Sequence, residues 1–184
     1  MKQTHLKVRW ITQTALMLAL LIVLQWLTKP LGQLVTGSCV NAVLAISVLL
    51  CGMSSGLTVA LLSPVFAYLL GIAPQILTVP VIMLGNAAYV AVLKLAGTDA
   101  KEFWRAILAL LAAAVCKFAI LFTLVNYGIC GILAQGLLEQ GLLKKPMLTA
   151  LPATFSLPQL VTALVGGAVA LVLVPVLKKA LHRK

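Results

Sequence analysis

Acidic side chains are nearly missing from this sequence: Asp99, Glu102 and Glu139 are the only carboxylates among 184 residues. None lies in a long apolar run, and no His, Ser or Cys within those runs has a paired base. General acid–base and nucleophilic catalysis therefore lack their parts, and an enzyme is not expected. Histidine is equally scarce, with His5 and His182 at opposite ends in basic tails. Cys39, Cys51, Cys116 and Cys130 show no CxxC spacing and sit in or beside apolar runs. They read as small packing residues, which excludes a metal site or a disulfide frame. No HExxH, P-loop or nucleotide fingerprint occurs, so no cofactor is expected.

What the chain has in abundance is apolar surface. It is 62% hydrophobic and 9% charged, and its mean hydropathy of +1.14 lies far above that of soluble domains. This composition describes an all-α integral membrane protein. A few spans with short loops use up residues 1–184 as a single transmembrane domain and leave no room for a soluble catalytic domain. The net charge of +11 would suggest nucleic acid in a soluble chain. Here the charges cluster at the ends of apolar runs, where they are topology signals, and no nucleic-acid partner is expected.

The apolar runs predict a bundle of six transmembrane helices at about 10–28, 38–51, 57–71, 79–95, 105–126 and 159–177. Lys2, Lys7 and Arg9 give the first run the start of a signal peptide. Its body is too long, no A-x-A site follows, and Thr36-Gly37-Ser38 before Cys39 is a poor lipoprotein box, so a retained helix is expected. Lys29-Pro30-Leu31-Gly32-Gln33 ends it. The second run is short for a crossing. The segment Gly52-Met53-Ser54-Ser55-Gly56 reads as a turn, Pro64 as a kink, and Gly71-Ile72-Ala73-Pro74 as another turn. Glycines at 128, 131, 136 and 141 and prolines at 146, 152 and 158 make 127–157 a partly helical loop over one membrane face.

Six spans put both termini on one side. The tails and the loop around Asp99 carry Lys2, Lys7, Arg9, Lys94, Lys101, Arg105, Lys178, Lys179, Arg183 and Lys184, whereas the opposite loops carry only Lys29, Lys144 and Lys145. The positive-inside rule then places both termini in the cytoplasm of a multi-pass plasma-membrane protein.

Within the fifth run, Leu108 to Asn126, stands one charge, Lys117. A lysine at such depth costs on the order of 3 kcal/mol on insertion scales. Such residues face a cavity, a partner or a ligand, unless they snorkel to the nearer interface. No Asp or Glu lies in any span, so a ligand, such as one with a carboxylate or phosphate, or backbone carbonyls must neutralise it. In this orientation Lys117 falls in the outer half, Asn86 near mid-depth, and Asn41 and Gln159 near the outer end. A pocket open to the exterior, roofed by the loops around Gln33 and from Lys144 to Pro158, would satisfy them all, with Tyr89 beside a ring of the ligand. Each has a structural reading too: Asn86 as interhelical glue worth about 0.6 kcal/mol, Asn41 and Gln159 as solvated caps, and Tyr68 and Tyr89 as belt aromatics. Asn126, about 180° from Lys117 on an ideal helix, is excluded from the site.

The pair Ala15-x-x-x-Ala19 within Thr14-Ala15-Leu16-Met17-Leu18-Ala19 presents small residues on one face, with Ile11, Ile22 or Val23, and Trp26 on the same stripe. Together with Gly37-Ser38-Cys39-Val40-Asn41, Leu84-Gly85-Asn86-Ala87 and Ser156-Leu157-Pro158-Gln159-Leu160, it gives a pattern over nearly the whole chain. This pattern resembles the substrate-binding S components of energy-coupling factor (ECF) transporters, the bacterial vitamin importers. The resemblance implies that Ala15 and Ala19 dock on a transmembrane coupling subunit with two ABC ATPase subunits beneath. It also implies that a vitamin is bound in the outer half under extracellular loops, and that this chain holds no ATP site. No substrate signature of the vitamin-specific members matches, so the ligand stays open. Two other readings fit the residues: a structural or assembly membrane protein, and a self-sufficient secondary transporter or channel, although no internal repeat is evident.

Overall fold

The computed structural model describes residues 2–73, 75–96 and 103–181. Asp99, Lys101 and Glu102 of the charged loop, Pro74, and the last three residues lie outside them. The described residues form helices without strands. Helix α1 is Lys2–Thr28, followed by a 3-10 turn Lys29–Leu31; α2 is Gln33–Cys51, α3 Met53–Leu69 and α4 Thr78–Leu95. Helix α5, Phe103–Phe122, runs on as a π-helical stretch Thr123–Ile132, and α6 (Ala134–Glu139), α7 (Met147–Thr154) and α8 (Leu157–Leu181) complete the chain.

Among the described residues, five helical segments are long and apolar enough to cross a membrane: Lys7–Leu31, Gln33–Cys51, Thr78–Leu95, Trp104–Ile132 and Met147–Leu181. Helix α3, at 17 residues, is shorter than these. Two of the junctions between helices each rest on one glycine. Gly32 and Gly52 take φ of +90° and +93°, a region closed to most side chains, so single residues suffice to end α1's turn and to join α2 to α3.

Two expected boundaries shift, for one physical reason. Helix α2 begins at Gln33 instead of Ser38, and α3 begins at Met53, so the expected turn 52–56 shrinks to Gly52. The polar and small residues that looked like loop are helical because their side chains are satisfied or packed inside the protein. Thr36 Oγ1 donates to the Thr28 carbonyl at 2.8 Å, Ser55 Oγ shares a 2.7 Å hydrogen bond with Thr14 Oγ1 of α1, and Gly56 lies against Val48 and Val90. The segment 127–157 is more helical than a loop. Leu133 N–H bonds the Gly128 carbonyl at 3.0 Å, a five-residue step that carries α5 onward past the glycines as a wider coil.

Helix α2 is the centre. Residues Asn41–Val48 are buried without interruption, which marks a helix covered on all sides, and α8, α1, α3 and α4 all pack against it. Helix α1 is peripheral, with most of its apolar length unburied. The main core joins Leu44, Val48, Val59, Val90, Ala113 and Ala163. A smaller cluster of Leu121, Val125, Ile129, Leu143, Leu151 and Phe155 ties α6 and α7 to the π-helical stretch.

Helix–helix approach is set by glycine. A Cβ on Gly166 of α8 would run into the Ser38 carbonyl of α2 and come to 2.7 Å from Asn41 Cβ, and one on Gly37 would lie 2.9 Å from Thr162 Cγ2. In lipid, where burial of apolar surface gives no drive to associate, such close backbone contact is a main source of helix packing. We expect Gly166→Ala to destabilise the protein by about 1–3 kcal/mol through overpacking, seen as a lower midpoint of thermal unfolding in detergent. Gly136→Ala, where a Cβ meets nothing within 4 Å, serves as the control; equal midpoints for both would refute the close α2–α8 contact.

Candidate functional site

Three helices deliver polar side chains to one point. Lys117 of α5 is 3% exposed, and its Nζ donates to Asn41 Oδ1 of α2 at 2.6 Å and to Asn86 Oδ1 of α4 at 2.7 Å. It also stands 5.5 Å from the centroid of the Tyr89 ring, within cation–π range. An ammonium only donates, so both amides must turn their oxygens toward it. The other end of Asn41 agrees: Nδ2 donates to the Gly37 carbonyl at 2.9 Å and to Thr162 Oγ1 at 3.3 Å. Thr162 Oγ1 in turn donates to the Gln159 carbonyl at 3.1 Å.

The local sequence explains why these groups meet. Gly85 lets α4 approach α5 so closely that a Cβ there would lie 2.8 Å from Leu121 Cγ, which brings the adjacent Asn86 within reach of Lys117. Ala113 and Ala114, about one turn before the lysine, are wholly buried and keep its stem uncrowded. Tyr89 OH donates to the Ala163 carbonyl at 3.1 Å, tying α4 to α8 beneath the ammonium.

Beside this point lies a cavity of about 110 Å³, large enough for several waters or part of a small molecule. Lys117, Asn86, Asn41 and Gln159 all line it. Gln33, Thr154 and Phe155 also line it, as do Ile72 and Ala73 of the α3–α4 connection. That cover is stitched together by Lys29 Nζ donating to the Gly71 carbonyl at 2.8 Å and by Gln75 Nε2 donating to Met147 Sδ at 2.6 Å. A wider groove along Leu57, Leu84, Ala88 and Ile120 is almost entirely apolar and offers no convergent polar groups, so it is not the candidate site.

Two expectations change here. Asn41, a candidate ligand contact near the outer end with a solvated cap as its other reading, is 1% exposed and holds the lysine, so it is not a solvated cap, because α2 begins earlier and is enclosed all round. Tyr89, expected beside a ligand ring, is 0% exposed and is not among the lining residues; its face serves the ammonium. Lys117 does not snorkel, since its head group is enclosed by three helices. Gln159 is 7% exposed and donates from Nε2 to the Thr154 carbonyl at 3.2 Å. Asn126 bonds its own helix, through Nδ2 to the Phe122 carbonyl at 2.9 Å, and stays outside the site.

Sequence reasoning missed Gln25, Thr36 and Ser63, and it read Pro64 only as a kink, yet all four line the cavity. The available signal was Gln25 itself, one amide in the apolar stretch Leu20–Leu27. Among the described residues no group of three or more His, Cys, Asp or Glu could hold a metal.

A family model described as "ECF transporter, substrate-specific component" matches residues 9–178. The chain belongs to that family. An ECF substrate-specific component is a membrane transport protein, and the apolar helices make this one a multi-pass membrane protein. Substrate-specific components are substrate-binding subunits, not enzymes, and they associate with ECF coupling and ATPase subunits. No curated protein and no solved structure matches the chain.

The lysine's dependence on Asn41 is measurable. Asn41→Leu deletes an acceptor of a buried cation, at a cost of about 1.5–3 kcal/mol. With Lys117→Met in the same chain no charge is left to satisfy, so the double variant should be at least as stable as Asn41→Leu alone. Strict additivity in thermal unfolding would contradict the pairing.

Proposed function

We propose that this ECF substrate-specific component captures a small vitamin-like molecule bearing an anionic group in the cavity beside Lys117. The observation that carries this reading is a buried ammonium held only by neutral partners. Two amide oxygens and a ring face stabilise it, but no carboxylate pairs with it among the described residues. A buried ion without a counter-charge carries a penalty of several kcal/mol, and a carboxylate or phosphate in the adjoining cavity would relieve it with a charge-assisted hydrogen bond. Asn86, Asn41 and Gln159 are the hydrogen-bonding wall, and Tyr89 acts from behind the lysine.

The partner face is α1. Ala15 and Ala19 are exposed, and Ile11, Val23 and Trp26 beside them are 57%, 53% and 64% exposed. This side of the helix is left largely uncovered by the other described residues. It is the surface we assign to the transmembrane coupling subunit, beneath which two ABC ATPase subunits sit, with both termini of this chain in the cytoplasm.

Two experiments test these assignments. Mass spectrometry identifies the molecule retained by the purified wild type, and equilibrium binding of that molecule to Lys117→Gln should be weaker by roughly 30- to 4000-fold, equivalent to about 2–5 kcal/mol. Unchanged affinity would remove the anionic substrate. Replacing Ala15 and Ala19 together by Leu should abolish copurification with the coupling subunit while leaving ligand binding nearly intact; parallel loss of both would assign the pair to internal packing instead.

A further inference from the structure

The hydroxyls along these helices mostly satisfy themselves. Thr12, Thr14, Thr28, Ser38 and Thr58 each donate to the carbonyl four residues back, the usual habit of such side chains in helices. Two cavity-lining side chains depart from it. Gln25 of α1 is 7% exposed and Ser63 of α3 is 1% exposed, and Gln25 Oε1 and Ser63 Oγ have no hydrogen-bond partner among the described residues. A third orphaned oxygen, Ser47 Oγ, does not line the cavity. Leaving a buried acceptor unpaired costs the desolvation of that group, and two lining the same cavity mark a place where a partner from outside the chain is accommodated.

The two pairs of lining residues differ in chemistry. Lys117 and Asn86, on α5 and α4, form one polar group with the ammonium as donor. Gln25 and Ser63 are on α1 and α3, which the Thr14–Ser55 hydrogen bond of 2.7 Å holds together, and both orphaned atoms can accept: the Gln25 amide oxygen only accepts, and the Ser63 hydroxyl accepts as well as donates. Much of the remaining lining is apolar, with Val40, Pro64, Ala67, Ile82 and Phe155. We propose that Gln25 and Ser63 form a second polar subsite that accepts hydrogen bonds from an N–H or O–H group of the bound molecule, so that its substrate is bipolar. One end is anionic and meets Lys117; the other is a neutral donor. This rests on the reading that the Lys117 cavity is the capture site.

The test uses the low-molecular-weight fraction of rich growth medium as probe. Detergent-purified full-length chain is incubated with it and washed, and the released compounds are weighed in water and in deuterium oxide to count exchangeable hydrogens. Wild type should enrich a compound with an acidic group and at least one further exchangeable hydrogen. Gln25→Met and Ser63→Ala should each lower that enrichment about tenfold or more. The ligand-free Gln25→Met protein should melt no lower than wild type, because methionine removes an unpaired carbonyl; a clearly lower midpoint would mean a structural role and overturn the subsite. Enrichment unchanged in both variants but lost in Lys117→Gln would overturn the second subsite and leave the anion site standing. Loss in Gln25→Met with none in Lys117→Gln would do the reverse. A compound without a further exchangeable hydrogen refutes the donor end, and no enrichment by wild type refutes both readings.

Discussion

An ammonium sealed inside an apolar helix bundle must be satisfied by the protein around it, and much of this architecture serves that demand. Lys117 reaches two amide oxygens from two other helices, and each must be delivered at hydrogen-bond distance. Asn41 can do so only because α2 is enclosed by α8, α1, α3 and α4, and because its own nitrogen is fixed by Gly37 and Thr162. Asn86 can do so only because Gly85 removes a side chain from the α4–α5 contact. The glycines are thus part of the electrostatics: without close backbone approach the amides would stand too far from the charge.

The same arrangement leaves the charge solvated but not neutralised. Hydrogen bonds from amides and a ring face offset part of the burial penalty, whereas a full counter-charge would make the lysine inert to a ligand. A transport subunit that must hold a molecule and later release it is well served by a cation stabilised enough to stay folded and still short of a partner. Neighbouring loops add to this. The α3–α4 connection and the α6–α7 region meet beside the cavity through a part-buried contact of Gln75 with Met147.

Helix α1 faces two ways. Thr14, Leu21 and Gln25 turn inward and are buried, while Leu16, Ala19, Val23 and Trp26 face outward. One helix therefore contributes to the cavity lining and presents the small-residue surface assigned to the partner, a direct physical connection between the two.

The sequence by itself determined residence in the membrane, the all-helical class, and Lys117 as the residue to explain, since a bilayer demands long apolar runs and penalises a lone charge. It also marked Asn86 and Gln159, polar groups set in or at the end of apolar runs, and through four short motifs it carried the family. It misplaced the starts of α2 and α3, because serine, threonine and glycine look like turns in water-based reasoning but act as close-packing residues between helices in lipid. It could not say that Asn41 turns to the lysine, that Tyr89 lies behind it, or that Gln25 and Ser63 share its cavity. Helices such as α2, α3 and α8 are apolar on every side, so no periodicity fixes their rotation. Only the tertiary contacts, above all those of Gly37, Gly85 and Gly166, set which polar side chains converge.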